Sequence, residues 1–207
     1  MKGSLHTDEF MMPIVAEEKL RTDRRMSHIF VIDTPLYPRP LFVTDAAINT
    51  YPNLSDKRTL CKTRLTLRMR WAIRRRTSQF SRRSEPLPRR FAPRSMRRHF
   101  KMADRGQITG AIIDGPLAFD NAVSEEAATS KCMVSPVAGR ADIFVVPDIE
   151  AGNMLAQLEY LAGADVARVV IGARVPIILT SRADKSPVRL GSCAIALLWA
   201  RYRVPIA

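Results

Sequence analysis

Four short clusters gather the side chains best suited to chemistry: Thr44-Asp45 with Asn49, Asp114-Gly115, Asp148 with Gly152-Asn153, and Ser181-Arg182-Ala183-Asp184. Hydroxyls, amides and guanidinia bind polar or anionic ligands, and carboxylates exchange protons. His6 and His28 stand alone and read as structural. Cys61, Cys132 and Cys193 are odd in number and far apart, which argues against a disulfide framework and suits a reducing cytoplasm. No Cys/His cluster has metal-site spacing. Cys193, within an apolar helix, reads as a small core residue. The clusters define a polar crevice and no reaction.

The elements that must position them alternate between strand and helix. Strands are expected at His28–Asp33, Leu41–Thr44, Gly110–Asp114, Asp142–Val146, Arg168–Ile171 and Pro176–Leu179, and helices at Asn121–Cys132, Met154–Leu161 and Val188–Tyr202. Continuous Val/Ile runs between helices predict an α/β fold with a mostly parallel sheet covered by helices on both faces. Ligands then collect at the carboxyl ends of the strands, where the clusters fall. The chain of 207 residues, 46% hydrophobic, is long enough to bury a core. Its apolar runs are far shorter than the roughly 20 residues of a membrane span, and MKGSLHTDEF has no secretory h-region. A soluble cytoplasmic protein is expected.

The net charge is +13, but residues 63–100 alone hold 13 arginines, no lysine and one acid, Glu85. That block is therefore +12, and the remaining 20 basic and 19 acidic residues leave +1 elsewhere. The block also lacks helical or strand periodicity. It is either a basic insert, with Trp71, Phe80, Phe91 and Phe100 to stack on bases, or text foreign to the fold around it. As a nucleic-acid binder it matches no recognised module, so binding would be non-specific.

Six blocks resemble the phosphate acetyl/butyryltransferase family, in the family's order: KGSLHTDEF, LRTDRRMSHIFVID, PLFVTDAAIN, KMADRGQITGAIIDGPLAFDNAVS, SPVAGRADIFVVPDIEAGNMLA and GARVPIILTSRAD. The TSRAD form is similar to the butyryltransferase branch, or to the acyltransferase module fused to an enoyl-CoA hydratase. The resemblance implies an isocitrate/isopropylmalate dehydrogenase-like two-domain fold. It also implies that strands and a substrate-binding segment of the first domain precede the family's counterpart of Met1, leaving that fold incomplete here. The helix after Gly152-Asn153 is one residue short near Gln157, which rotates the residues beyond it by about 100°.

Between TDAAIN and KMADRGQ the family has a helix, a buried strand and another helix. Codons can be chosen for Lys62–Trp71 so that reading one base back gives NAIDLAHAL, an amphipathic helix. For Ser78–His99 a neighbouring frame yields VAILSAVGTVTPKIRSTLDAAA, a buried strand followed by a helix. GCG alanine codons read one base out become arginine codons, which accounts for the block's composition. The expected organisation is a partial acyltransferase segment at 1–62, a frame-shifted, disordered arginine-rich stretch at 63–100, and a C-terminal acyltransferase segment at 101–207. Thirteen like charges cannot be buried unpaired in place of a core strand, so a poorly folded chain is expected.

The resemblance implies acyl transfer between acyl phosphate and coenzyme A, with CoA a substrate and no permanent cofactor. Acyl-CoA with phosphate, or acyl phosphate, are the implied partners, and a homodimer the implied assembly. Arg182 would hold the phosphate through its fork, and Ser181 would donate to the thioester or phosphate oxygen. Asp184 is a candidate base for the CoA thiol or else a surface turn residue. Arg24 and Arg25 add to an anionic pocket or form a solvated helix end. Asp114 and Asn121 shape the crevice wall, and Asp120 is an N-cap candidate. Gly152-Asn153 faces a phosphate at a helix start or makes a tight turn. The chain itself is expected to be impaired or inactive.

Overall fold

Only seven residues, 34–40, join the strand Ser27–Asp33 (β1) to Leu41–Thr44 (β2). That is too short for the crossover that parallel neighbours need. β1 and β2 accordingly pair antiparallel, with Ile29 opposite Thr44 and Ile32 opposite Leu41. The structure, a computed structural model, describes residues 1–53, 56, 77–81, 108, 111–157 and 159–201. Four further strands are Thr77–Ser81 (β3), Ile112–Leu117 (β4), Ile143–Val145 (β5) and Asp165–Ile171 (β6). They build a six-stranded sheet in the order β4-β3-β5-β2-β1-β6.

The sheet is mixed. β2 with β5, β5 with β3 and β3 with β4 are parallel, whereas β1 is antiparallel to both β2 and β6. The α/β class read from the sequence stands, and β1 is the departure from its parallel reading. All but the last residue of β1 is buried. Its side chains alternate between the two faces, so each face needs a cover.

The helices supply it. They are Thr7–Ala16 (α1), Phe119–Val123 (α2), Glu125–Ser130 (α3), Ile149–Gln157 (α4), Glu159–Ala162 (α5) and Ser186–Arg201 (α6). On one face Ile29, Val31, Val169 and Ile171 pack with Ile195, Ala196 and Trp199 of α6. On the other, Phe30, Ile32, Val43 and Phe144 pack with Ala122 of α2, Ala128 of α3 and Ala156 of α4. Burying each large aliphatic or aromatic side chain contributes about 1.5–3 kcal/mol.

Several elements depart from the pattern-based expectation. Helix α1 lies in the N-terminal segment, where no helix is expected; Glu9 accepts from the His6 N–H at 3.0 Å, and Met11 anchors it on Val170, Ile177 and Leu179. The single helix expected at 121–132 is two, because the Ser124 hydroxyl accepts from Ala127 N–H at 3.1 Å and starts a new turn. Pro176–Leu179 is not a ladder strand: Ile177 alone bridges Val170 of β6. β3 lies within the arginine-rich block. It takes its backbone partners from two neighbouring strands, with Ser78 opposite both Ile143 and Ile113. The rest of that block, with its expected disorder and with Trp71, Phe91 and Phe100, lies outside the described residues, as does the Phe80 side chain.

Helix α4 begins on Asp148, whose carboxylate accepts from Ala151 N–H at 2.9 Å. It then passes so close to the loop after β2 that a Cβ on Gly152 would lie 2.4 Å from the Asp45 carbonyl oxygen and 3.0 Å from Ala46 Cα. Backbone atoms cannot swing aside. Gly152→Ala is therefore expected to lever α4 off the loop and cost about 1–3 kcal/mol, as overpacking does. A urea midpoint unchanged from the parent would show that the helix shifts freely.

Candidate anion site

The Ser181–Asp184 turn comes directly after the bridge to β6, where Val170 N–H donates to Ile177 O at 2.7 Å and Ile177 N–H returns a bond at 3.0 Å. Asp184 ties the turn down. One carboxylate oxygen accepts from Ser181 N–H at 2.7 Å, and the other meets Arg168 Nη1 at 2.8 Å. The two side chains of this ion pair are only 3% and 1% exposed. Arg168 is a charge set within the apolar strand β6, and its guanidinium also lies 4.8 Å above the Phe30 ring. A buried charge of that kind persists only when paired.

Beside this pair opens a cavity of about 230 Å³. Lys2, His6 and Thr7 line it from the N-terminal segment, His28 and Phe30 from β1, Arg168 from β6, Asn153 and Gln157 from α4, and Leu179 to Arg182 from the turn. Lys2, Arg168 and Arg182 bring positive charge, and no carboxylate is among the described lining residues. The Lys2 ammonium, 3.2 Å from the Thr180 carbonyl oxygen it donates to, has its pKa lowered chiefly by burial and next by Arg182. His28 Nε2 is 3.1 Å from Leu179 O, so that nitrogen carries the proton. Burial, and next the charge of Arg168, push the His28 pKa down to about 3, which leaves a neutral imidazole near pH 7.

Ser181, Arg182 and Asn153 are thus brought together at one cavity, whereas Gly152 does not line it and is buried against the Asp45–Ala46 backbone. Asp184 is not among the lining residues and not on the surface; both its oxygens are engaged within the fold. Arg24, Arg25, Asp114 and Asn121 do not line the cavity. Arg25 pairs with Asp56 at 2.8 Å and donates to the Asn49 side chain. Asp114 accepts from its neighbour Gly115 N–H at 2.8 Å, and Asn121 is 1% exposed within α2. Asp120 pairs with Lys131 at 2.7 Å and does not cap α2, whose N-cap is Ala118. The Asp45 cluster is closed: its carboxylate accepts from the N–H groups of His28, Ala47 and Ile48 at 3.2, 3.0 and 3.0 Å.

Lys2, His28 and Arg168 were not legible as site residues in the sequence. Only Arg168 left a signal, as a lone charge inside the run Asp165–Ile171. A second cavity of about 590 Å³, lined by Ile32, Leu36, Tyr37, Leu41, Phe119 and Leu155 among others, has no cation or carboxylate among its described lining residues. The anion chemistry therefore belongs to the smaller one. Among the described residues no His, Cys, Asp or Glu group is placed to hold a metal ion, and no helix is long and apolar enough to cross a membrane.

The described sheet is a mixed α/β one, with a small cavity lined by Lys2, Arg168 and Arg182 beside its Ser-Arg turn. Residues 1–197 match the family model described as phosphate acetyl/butaryl transferase, and the chain belongs to that family. It is 50% identical over 212 residues to a phosphate acetyltransferase of Rhizobium meliloti, covering 98% of this chain and 65% of that protein. It is 37% identical over 201 residues to a phosphate butyryltransferase of Clostridium acetobutylicum, covering 96% of this chain and 67% of that protein. A branched-chain phosphotransacylase from Enterococcus faecalis superposes with a TM-score of 0.85 at 26% identity, over 98% of this chain and 73% of the other. The chain thus spans just under two thirds of the length of the Rhizobium protein. The relative at half identity bears the acetyl name, although the TSRAD form leans towards the butyryl branch.

Proposed function

We propose that the protein transfers an acyl group between acyl-CoA and inorganic phosphate. The observation that carries this reading is the cavity that places Ser181 and Arg182 beside Lys2 with no carboxylate among the described lining residues. A site of about 230 Å³ is smaller than the roughly 300–1,000 Å³ that encloses a drug-sized ligand. It suits a phosphate with a short acyl group, while the bulk of CoA stays outside. Arg182 holds the phosphate oxygens through its fork, and Ser181 donates to the carbonyl oxygen as charge develops on it. Asp184 serves by fixing the turn, because its oxygens are already engaged, and the CoA thiol finds its base elsewhere. CoA is a substrate, and no permanent cofactor enters.

The same reading takes the sheet as part of an isocitrate/isopropylmalate dehydrogenase-like two-domain fold and the protein as cytoplasmic and homodimeric. It takes the arginine-rich block as frame-shifted text. β3 supports this, since Thr77–Ser81 overlaps the start of the stretch that a neighbouring frame reads as VAILSAV. The 207 residues alone are then expected to turn over little substrate, because a 1 Å displacement of Ser181 or Arg182 costs about 100-fold. Thiol release from acetyl-CoA or butyryl-CoA on adding phosphate tests this in three forms: the chain as it stands, with the frame repaired, and repaired with the upstream segment of a relative. Turnover is expected in the third and lost in its Arg182→Ala variant. A silent third form would overturn the function; robust turnover by the first would overturn the impairment.

A further inference from the structure

The N-terminal segment is bound to the edge of the cavity through one residue. Lys2 N–H donates to Ile178 O at 2.9 Å, the Thr180 hydroxyl donates to Lys2 O at 3.1 Å, and Lys2 Nζ donates to Thr180 O at 3.2 Å. These bonds lay Lys2 along residues 178–180, two positions before Arg182, and leave it 3% exposed. One donated bond occupies one of the three N–H groups of an ammonium. Among the described residues no carboxylate lies within ion-pair distance of Lys2 or Arg182, and Asp184 is held by Arg168 at 2.8 Å. A buried ammonium facing the charge of the exposed Arg182 without a counter-ion is a destabilised arrangement.

We propose that Lys2 is a phosphate-binding residue, its ammonium acting with the Arg182 guanidinium to neutralise a doubly charged phosphoryl group. This rests on the reading of the cavity as the phosphate site. The structure thereby gives the N-terminal segment a part in the site and not only in the fold. The groups that face Lys2 agree with the role. Arg182 and Arg189 repel its charge, and Asp184 attracts it from within the buried pair. Arg168 is matched by Asp184, His28 is neutral, and His6 lines the same wall. A phosphate anion supplies the negative charge that these groups favour. Its arrival offsets the burial that lowers the Lys2 pKa and so favours the ammonium form.

The test is titration of inorganic phosphate into the full chain by calorimetry, at constant ionic strength and neutral pH. Lys2→Met keeps the stem and removes the charge, and is expected to weaken phosphate by about 10-fold or more. Lys2→Arg should retain most of the affinity, Arg182→Gln should lose it, and Lys131→Met, at an exposed lysine paired with Asp120, should change nothing. Lys2→Met binding as tightly as the parent while Arg182→Gln fails would overturn the role of Lys2 and leave the cavity reading intact. No phosphate binding by the parent, or equal binding by Arg182→Gln, would sink both. Should Lys2→Met not fold, the unaltered chain decides: phosphate must slow reductive methylation of Lys2 relative to Lys131, as read by mass spectrometry. Equal rates with and without phosphate overturn the proposal.

Discussion

Replacing Asp184 with alanine is expected to destabilise the protein by about 3–5 kcal/mol, the cost of removing one partner of a buried ion pair. The loss has two parts. Arg168 keeps its charge with its side chain 3% exposed, and the Phe30 ring, 4.8 Å away, is a partial substitute for a carboxylate. Ser181 N–H also loses the acceptor that fixes the turn at 2.7 Å. Because whole-domain stability is about 5–15 kcal/mol, the change is large enough to read directly from denaturant midpoints. Arg168→Met combined with Asp184→Leu should recover much of the loss, since no unpaired charge remains. A midpoint for Asp184→Ala that matches the parent would mean that the pair does not anchor the turn.

Stability is expected to fall as the solution is acidified below about pH 6.5, and His28 is the main cause. Its pKa is about 3 in the fold, set by burial and then by Arg168, against about 6.5 in the unfolded chain. Between those values the unfolded state binds a proton that the folded state refuses. The contribution is fully present above pH 6.5 and is lost as pH falls towards 3, by about 5 kcal/mol in all. Asp45 works the other way, because burial raises its pKa and lets the fold take up a proton early. The readout is therefore the difference between the parent and His28→Gln, which does not titrate. Parallel stability curves for the two from pH 7.5 to 4 would refute the assignment.

The strands β1, β2, β5 and β6 were legible because their Val, Ile and Phe runs are buried on both faces and admit no other reading. The direction of β1 was also implicit, in a link too short for a crossover. β3 was not legible, since TSQFS carries no apolar pattern and gains its place from the strands on either side. Helix α1 was hidden for another reason: Phe10, Met11 and Ile14 do pack on Val170, Ile177 and Leu179, but the polar TDE start and Pro13 mask the helical pattern. In the site, Ser181 and Arg182 were visible because the turn is continuous in sequence. Lys2, His28 and Arg168 were not, because each reaches the cavity from a different element. The arginines at 24 and 25, chosen for charge alone, are engaged elsewhere, with Arg25 bound to Asp56 and Asn49.

The bond between Lys2 and Thr180 spans 178 positions of chain. A ribosome making about 5–20 residues per second would need roughly 10–35 seconds to cover that distance. β1 can meet β2 early, but its other edge must wait for β6, whose Asp165 pairs with Asp33 and Ile171 with Ser27. The cationic pocket thus closes only late in synthesis, once the turn that carries Arg182 has emerged. Until then the segment that carries Lys2 has no docking place, and the open flank of β1 is a bare strand edge exposed to other nascent chains.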